Sequence, residues 1–177
     1  MKSMVELSHD FLKKALHSQA VCMDGTVGNG KDSQFLLDAG VKKVYGFEIQ
    51  KEVLENTKNK ISDSRFVAIL AGHEKLDAYV SEDVDAMIFN FGFCPFGDKT
   101  ITTLPETSLQ AVQKGLKRLK IKGRMALVMY PHQYGEIEQN EIETFLKTLP
   151  AHAFQIEKIK SLNVENMPYL ICIERRS

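Results

Sequence analysis

Asp24-Gly25-Thr26-Val27-Gly28-Asn29-Gly30 follows a short apolar run, Ala20–Met23, and leads directly into a stretch of helical periodicity, Ser33–Ala39. Strand, glycine-rich turn and helix in that order open a βα unit. Gly28 and Gly30 permit backbone angles, and a close approach by a ligand, that a side chain would block. Tight strand–helix turns use glycine for structural reasons as well, so the order of residues has to discriminate. The dinucleotide fingerprint is G-x-G-x-x-G, whereas this turn reads G-x-x-G-x-G behind an acid. A phosphate loop would continue with Lys-Ser/Thr; here Lys31-Asp32 follow, which argues against a nucleoside triphosphate.

Outward from the turn, strand-like and helix-like segments alternate. Ser8 is positioned to cap a first helix through Phe11, Leu12, Ala15 and Leu16, and Gly40 to stop the helix after the turn. Lys43–Glu48 reads as a second strand, and Val53, Leu54, Thr57 and Ile61 share one face of the next helix. Arg65–Leu70, Val84–Phe91 and Arg124–Tyr130 read as further strands, the middle one almost continuously apolar. A long helix starts near Thr103 with Pro105 in its first turn, and Glu138–Thr148 is helical. AFQIEKI and YLICIE near the C-terminus alternate like an antiparallel pair. The pattern predicts one α/β domain over 1–177: a seven-stranded, mostly parallel sheet with helices on both faces. Ligands of such sheets sit beyond the carboxyl ends of the strands, at the topological switch point.

Composition narrows the class. Hydrophobic residues make up 44% and charged residues 26%. That is an ordinary globular balance, which excludes disorder and fibrous repeats. Twenty-three basic residues offset 23 acidic ones, so any nucleic-acid contact must come from a local patch. Cys22, Cys94 and Cys172 are far apart and form no C-x-x-C pair, so they are read as reduced thiols rather than metal ligands. No segment approaches the roughly 18 apolar residues of a membrane span, and the N-terminus lacks a signal-peptide core. A cytoplasmic protein is expected.

Glu48 ends the second strand, where a carboxylate can accept hydrogen bonds from both hydroxyls of a ribose. D-x-[small]-x-G-x-G with an acid at the second strand end resembles the signature of class I methyltransferases, with Thr26 in place of the usual first glycine. DGTVGNGKDSQFL, FEIQ, GHE (Gly72–Glu74) and NFGFCPFGDK (Asn90–Lys99) together resemble the bacterial rRNA-methylase family, over about Ala20–Glu138. Members of that family methylate the aminomethyl group of the tRNA wobble uridine. The resemblance implies a Rossmann-like fold and S-adenosylmethionine as cofactor, converted to S-adenosylhomocysteine. It implies that Asp24, Gly25, Thr26, Gly28 and Gly30 frame the methionine moiety, with Asn29 and Asp32 in the same loop. It places Glu48 and Ile49 at the ribose, and His73 and Glu74 near the adenine.

Methyl transfer is an in-line displacement whose electrophile carries its own activation, so no metal is expected. An alkylamine nucleophile resembles the lysine side chain, which ordinarily titrates at about 10.4. The site must therefore favour the neutral amine and accept its hydrogens without adding a counter-charge. Asn90 suits that need. Asn90-Phe91-Gly92-Phe93 resembles the N-P-P-Y/F element of amino-group methyltransferases, in which the Asn carbonyl accepts from the target nitrogen and the aromatic packs on the substrate. Phe93 is the expected stacking residue; Asp98, Lys99, Thr103 and Tyr130 are expected to contact the nucleoside or a phosphate. Either Thr102 or Thr103 could cap the following helix. Tyr130-Pro131-His132-Gln133 stands where the family writes Y-P-G-H, and His132 is the candidate for amine-proton removal. Cys94 raises the rival of carbon methylation through a covalent adduct, but Cys94-Pro95 has the wrong order for it.

The expected partner is the anticodon stem-loop of tRNA. The cations Lys114, Lys117, Arg118, Lys120, Lys122 and Arg124 are either its contacts or compensation for a helix dipole. A homodimer would join two modest patches. Competing readings are a methyltransferase of rRNA or of small molecules, a nicotinamide-dependent oxidoreductase, and a non-catalytic RNA- or cofactor-binding module.

Overall fold

The computed structural model describes residues 1–177. Its strands are β1 (Val21–Asp24), β2 (Lys43–Glu48), β3 (Phe66–Leu70), β4 (Val84–Phe91), β5 (Leu119–Met129), β6 (Phe154–Ile159) and β7 (Tyr169–Arg175). Its α-helices are α1 (Met4–Leu12), α2 (Lys31–Asp38), α3 (Lys51–Lys60), α4 (Leu76–Tyr79), α5 (Pro105–Arg118) and α6 (Gly135–Lys147). One seven-stranded sheet has the order β3-β2-β1-β4-β5-β7-β6. The first five strands pair in parallel, and β7 runs antiparallel between β5 and β6. No helix is long and apolar enough to cross a membrane.

Side chains one residue apart on a strand face opposite ways, and this alternation divides the core in two. Met23, Met87, Phe89 and Leu127 join α5 and α6 on one face, while Cys22, Ile88, Val128 and Leu12 pack with α1 and α2 on the other. Because β4 is covered on both faces, seven of its eight residues are buried, which is why it reads as an almost continuous apolar run. Each fully buried aliphatic or aromatic side chain contributes about 1.5–3 kcal/mol relative to exposure, so this central strand anchors the fold.

Three expectations about local structure are corrected. Helix α1 is capped by Ser3, not Ser8: the Ser3 hydroxyl accepts from Glu6 N and the Glu6 carboxylate accepts from Ser3 N. Ser8 lies inside the helix and donates to Val5 O at 2.7 Å. Helix α5 begins at Pro105 after Leu104, with no side-chain cap, so neither Thr102 nor Thr103 serves as one. Strand β5 also starts earlier than expected. Val84 pairs with Leu119 and Ala86 with Arg124, so residues 120–123 bulge out of the ladder. Within that bulge Lys122 has a φ of 66°.

The chain leaves β1 toward β2 and β3, then returns to β4 on the other side of β1. A crevice opens at that reversal, beyond the ends of β1, β2 and β4.

Candidate active site

The crevice is a cleft of about 780 Å³, within the usual range of small-molecule sites. Its floor is the β1–α2 turn. Asp24 has no exposed surface; its carboxylate accepts from Thr26 N at 3.1 Å and from Ser33 Oγ at 2.6 Å. Burial, followed by the neighbouring charge of Asp32, raises its pKa. Gly25 must be glycine, because a Cβ there would lie 2.3 Å from the buried Phe89 ring. Gly28 (φ 51°) and Gly30 (φ 82°) occupy the left-handed region, and a Cβ on Gly30 would meet Thr57 at 2.7 Å. Asn29 accepts from Lys31 N and closes the turn.

Glu48 faces this turn from the end of β2. One carboxylate oxygen accepts from Gly28 N at 3.0 Å and the other from Gln50 N at 2.9 Å. Each oxygen has a second lone pair, so the carboxylate can still receive two hydroxyl donors. Ile49, beside it, is exposed on the cleft wall. His73, nine-tenths covered, follows β3; its Nδ1 lies 3.1 Å from Gly25 O, and burial lowers its pKa. It is therefore a neutral imidazole donating from Nδ1, with Nε2 left as an acceptor. Glu74 is a further wall residue.

The opposite wall is the end of β4. Asn90 N donates to Thr26 Oγ1 at 2.8 Å, so the threonine that replaces the expected glycine ties β1's turn to β4. Asn90 Nδ2 donates to Asp32 Oδ2 at 2.6 Å. Gly92 takes the place of proline, and a Cβ on it would crowd Tyr130 Cβ at 3.0 Å. Phe93, half exposed, pairs through its backbone with Thr102, and Thr103 N donates to Gly92 O at 2.7 Å. The Thr102 and Thr103 hydroxyls are buried without a hydrogen-bond partner, next to the cleft. Tyr130 closes this side, its phenol pKa raised by burial and by Asp32.

Three expected site residues stand elsewhere. His132 is not on the cleft wall; its side chain is 2% exposed and its Nε2 lies 2.7 Å from the buried Glu138 carboxylate, which also accepts from Ser108 Oγ. That pairing ties α6 and α5 to the segment after β5, and corrects the expectation of a proton-removing base. Asp98 and Lys99 also lie off the cleft: Asp98 accepts from Thr100 N and Oγ1, and its N donates to Gln50 Oε1 at 2.9 Å, anchoring the loop above α3. Cys94 does line the cleft.

The structure adds residues that the sequence did not reveal. Ser3 and Val5 bring the start of α1 to the cleft, and Lys31 and Lys75 supply its cations. His9 of α1 bonds Asp32 Oδ1 at 2.6 Å and stacks on Phe35 at 3.8 Å. No spacing rule connects a histidine to an acid 23 positions later. Ser33, in the first turn of α2, bonds Asp24 nine positions earlier, a pairing made by the fold of the turn.

Four of the six cations near the end of α5 are already engaged. Lys114 bonds Glu74 O and Asp77, Arg118 bonds Ser81 O, Lys120 bonds Asp85, and Arg124 bonds Phe11 O and Glu174. Apart from Lys114, which reaches the backbone of the wall residue Glu74, they also stand at the wrong end of the sheet. Leu119 pairs with Val84, the first residue of β4, whereas the cleft lies beyond the last. The length of that strand, roughly 25 Å, separates the two.

Known proteins share this fold. The family model described as "Putative rRNA methylase" matches residues 44–174. The chain is 28% identical to the chloroplastic tRNA (mnm(5)s(2)U34)-methyltransferase of Arabidopsis thaliana, over 99% of this chain and 70% of that protein. It superposes on the crystal structure of a "Putative rRNA-methylase" from Clostridium thermocellum with a TM-score of 0.93 at 33% identity, covering 99% and 98% of the two chains. A methyltransferase from Streptococcus mutans, solved in complex with SAH, gives a TM-score of 0.91 at 37% identity, covering 99% of both. A glycine turn facing a strand-end carboxylate, on a sheet of this order, accords with those matches: the chain belongs to the family described as "Putative rRNA methylase" and is a class I methyltransferase.

Proposed function

We propose that the chain methylates tRNA, at the aminomethyl nitrogen of 5-aminomethyl-2-thiouridine in the wobble position, with the anticodon stem-loop as its macromolecular partner in the cytoplasm. The observation that carries this reading is the Asn90 amide, held at the end of β4 with its nitrogen on Asp32 and its carbonyl left for a donor in the cleft. The similarity to the Arabidopsis wobble-uridine enzyme supports the substrate class.

The methyl donor is S-adenosylmethionine, which when bound supplies a sulfonium-activated methyl group to a nitrogen lone pair. The residues present fit that donor. Gly28 leaves a side-chain-free floor, Gly30 lets the turn close against Thr57 of α3, Glu48 keeps two lone pairs for the ribose, and His73 Nε2 offers an acceptor beside the adenine position. The buried Asp24 anchors the turn on which the donor's methionine end rests.

For an amine substrate, Asn90 Oδ1 accepts an N–H and so orients the remaining lone pair. An amide carbonyl does this without the negative charge that would stabilise the ammonium form. The half-exposed Phe93 provides a face for the uracil ring, and stacking of this kind is worth about 1–3 kcal/mol per base. With His132 bound to Glu138, the proton released after transfer leaves through solvent at the cleft mouth. The Cys94 thiol has no base among its hydrogen-bond partners, so Cys94→Ser is expected to leave turnover intact.

One observation favours a second reading, a small free amine as substrate: Arg118, Lys120 and Arg124, at and beyond the end of α5, are self-paired and lie away from the cleft. A tRNA-binding surface would then have to come from the cleft rim, enlarged in a homodimer by a second rim. Nucleoside analysis of hypomodified tRNA, incubated with the protein and methyl-labelled donor, decides between the two. The wobble reading expects label on the aminomethyl nitrogen. Label on free alkylamines and none in tRNA would replace it.

A further inference from the structure

We infer that His9 and Asp32 are positioning residues for methyl transfer: two consecutive hydrogen bonds, from α1 to α2 to β4, fix the amide of Asn90 so that its carbonyl oxygen faces the cleft. This rests on the amine-methylation reading of the same site.

The orientation of an amide follows from its partners. A carboxylate only accepts hydrogen bonds, so the side of Asn90 that meets Asp32 must be the nitrogen. The contact is 2.6 Å, and the backbone of Asn90 is separately held by Thr26, so a side-chain flip would set an amide oxygen against a carboxylate oxygen. Such a clash of acceptors, away from bulk water, costs more than a neutral hydrogen bond returns.

Asp32 is itself held on its other oxygen. His9 Nε2 lies 2.6 Å from Oδ1, and the two side chains are 19% and 10% exposed. The imidazole is fixed in turn by stacking on Phe35, with the rings 2° from parallel. Asp32 sits in the first turn of α2, where the helix dipole favours a carboxylate. Each of its oxygens thereby has one partner inside the protein, and the group that Asp32 presents through Asn90 is a neutral carbonyl. Helix α1, which with its cap Ser3 also lines the cleft through Val5, thus positions the site as well as covering the sheet.

The test combines kinetics with a readout independent of turnover. His9→Ala and Asp32→Asn are expected to lower kcat at least tenfold while leaving the affinity for S-adenosylhomocysteine within twofold. His9→Gln, which keeps a donor for Asp32, is expected to recover most of the lost rate. In parallel, the Asn90 side-chain amide is followed by NMR in protein labelled with 15N-asparagine. Its two protons should be strongly inequivalent and slow to exchange in the wild type and His9→Gln, and should collapse toward free-amide values in His9→Ala. Overturning results are an Asn90 amide signal unchanged in His9→Ala, or a loss of donor affinity in proportion to kcat. If the wild type labels no tRNA, the substrate reading falls, and the amide spectrum still decides this inference.

Discussion

Asp24 is a carboxyl group without exposed surface, held by one backbone N–H and one hydroxyl, with no cation among its hydrogen-bond partners. Burial and the proximity of Asp32 raise its pKa, so the folded protein binds a proton that the unfolded chain releases. Between the ordinary value of 3.8 and that raised value, stability therefore falls as pH rises, and above the window the cost is complete. Asp24→Asn keeps an acceptor for Thr26 and removes the charge. It is expected to raise the Tm of the ligand-free protein more at pH 8 than at pH 5, and to weaken donor binding about tenfold or more. Thermal melts at the two pH values check the first effect. A variant equally shifted at both would contradict the proposed origin in buried charge.

At the scale of elements, the turn between β1 and α2 works as a fitted part. Gly25→Ala would set a methyl group 2.3 Å from Phe89, which stacks on Phe91 and has no room to retreat. The expected cost is about 1–3 kcal/mol, read from denaturant unfolding, with a matching loss of donor affinity. How much of this was legible in the sequence depends on how local the cause is. Strand β4 announced itself because both its faces are covered, and the glycine order of the turn identified its ligand class. The cap of α1 was also legible: Ser3-x-x-Glu6 is a capping box, whereas Ser8 has Phe11 three residues on and turns its hydroxyl to Val5. The bulge at 120–123 was not, because its cause is a left-handed Lys122 in a lysine-rich segment that reads as loop. His132 misled for the opposite reason. Its neighbourhood resembles a family motif, but its partner Glu138 is fixed only when α6 packs on α5.

Across the whole molecule, the positions of charges matter more than their sum. Net charge is zero, and part of the most conspicuous cationic run, Arg118 and Lys120, is engaged by internal partners at the sheet's far end. Under the tRNA reading proposed above, the cations that would draw the nucleic acid are those on the cleft, Lys31 and Lys75. Lys31→Glu with Lys75→Glu is expected to raise the KM for tRNA at least fivefold and to flatten its salt dependence. Lys117→Glu with Lys122→Glu, on the distal end, should leave KM within twofold. A reversal of that order would move the nucleic-acid interface to the other end of the sheet.

Everything proposed for the chemistry requires that the turn at Asp24–Gly30 and the Glu48 carboxylate together bind the donor. Calorimetric titration of S-adenosylhomocysteine into the wild type and Glu48→Gln tests this directly. One saturable site per chain is expected. The variant should bind about tenfold more weakly, because a glutamine sets an amide N–H against the Gly28 or Gln50 N–H and offers the ribose one acceptor fewer. No heat of binding in the wild type, or equal affinity in the two proteins, would contradict the account.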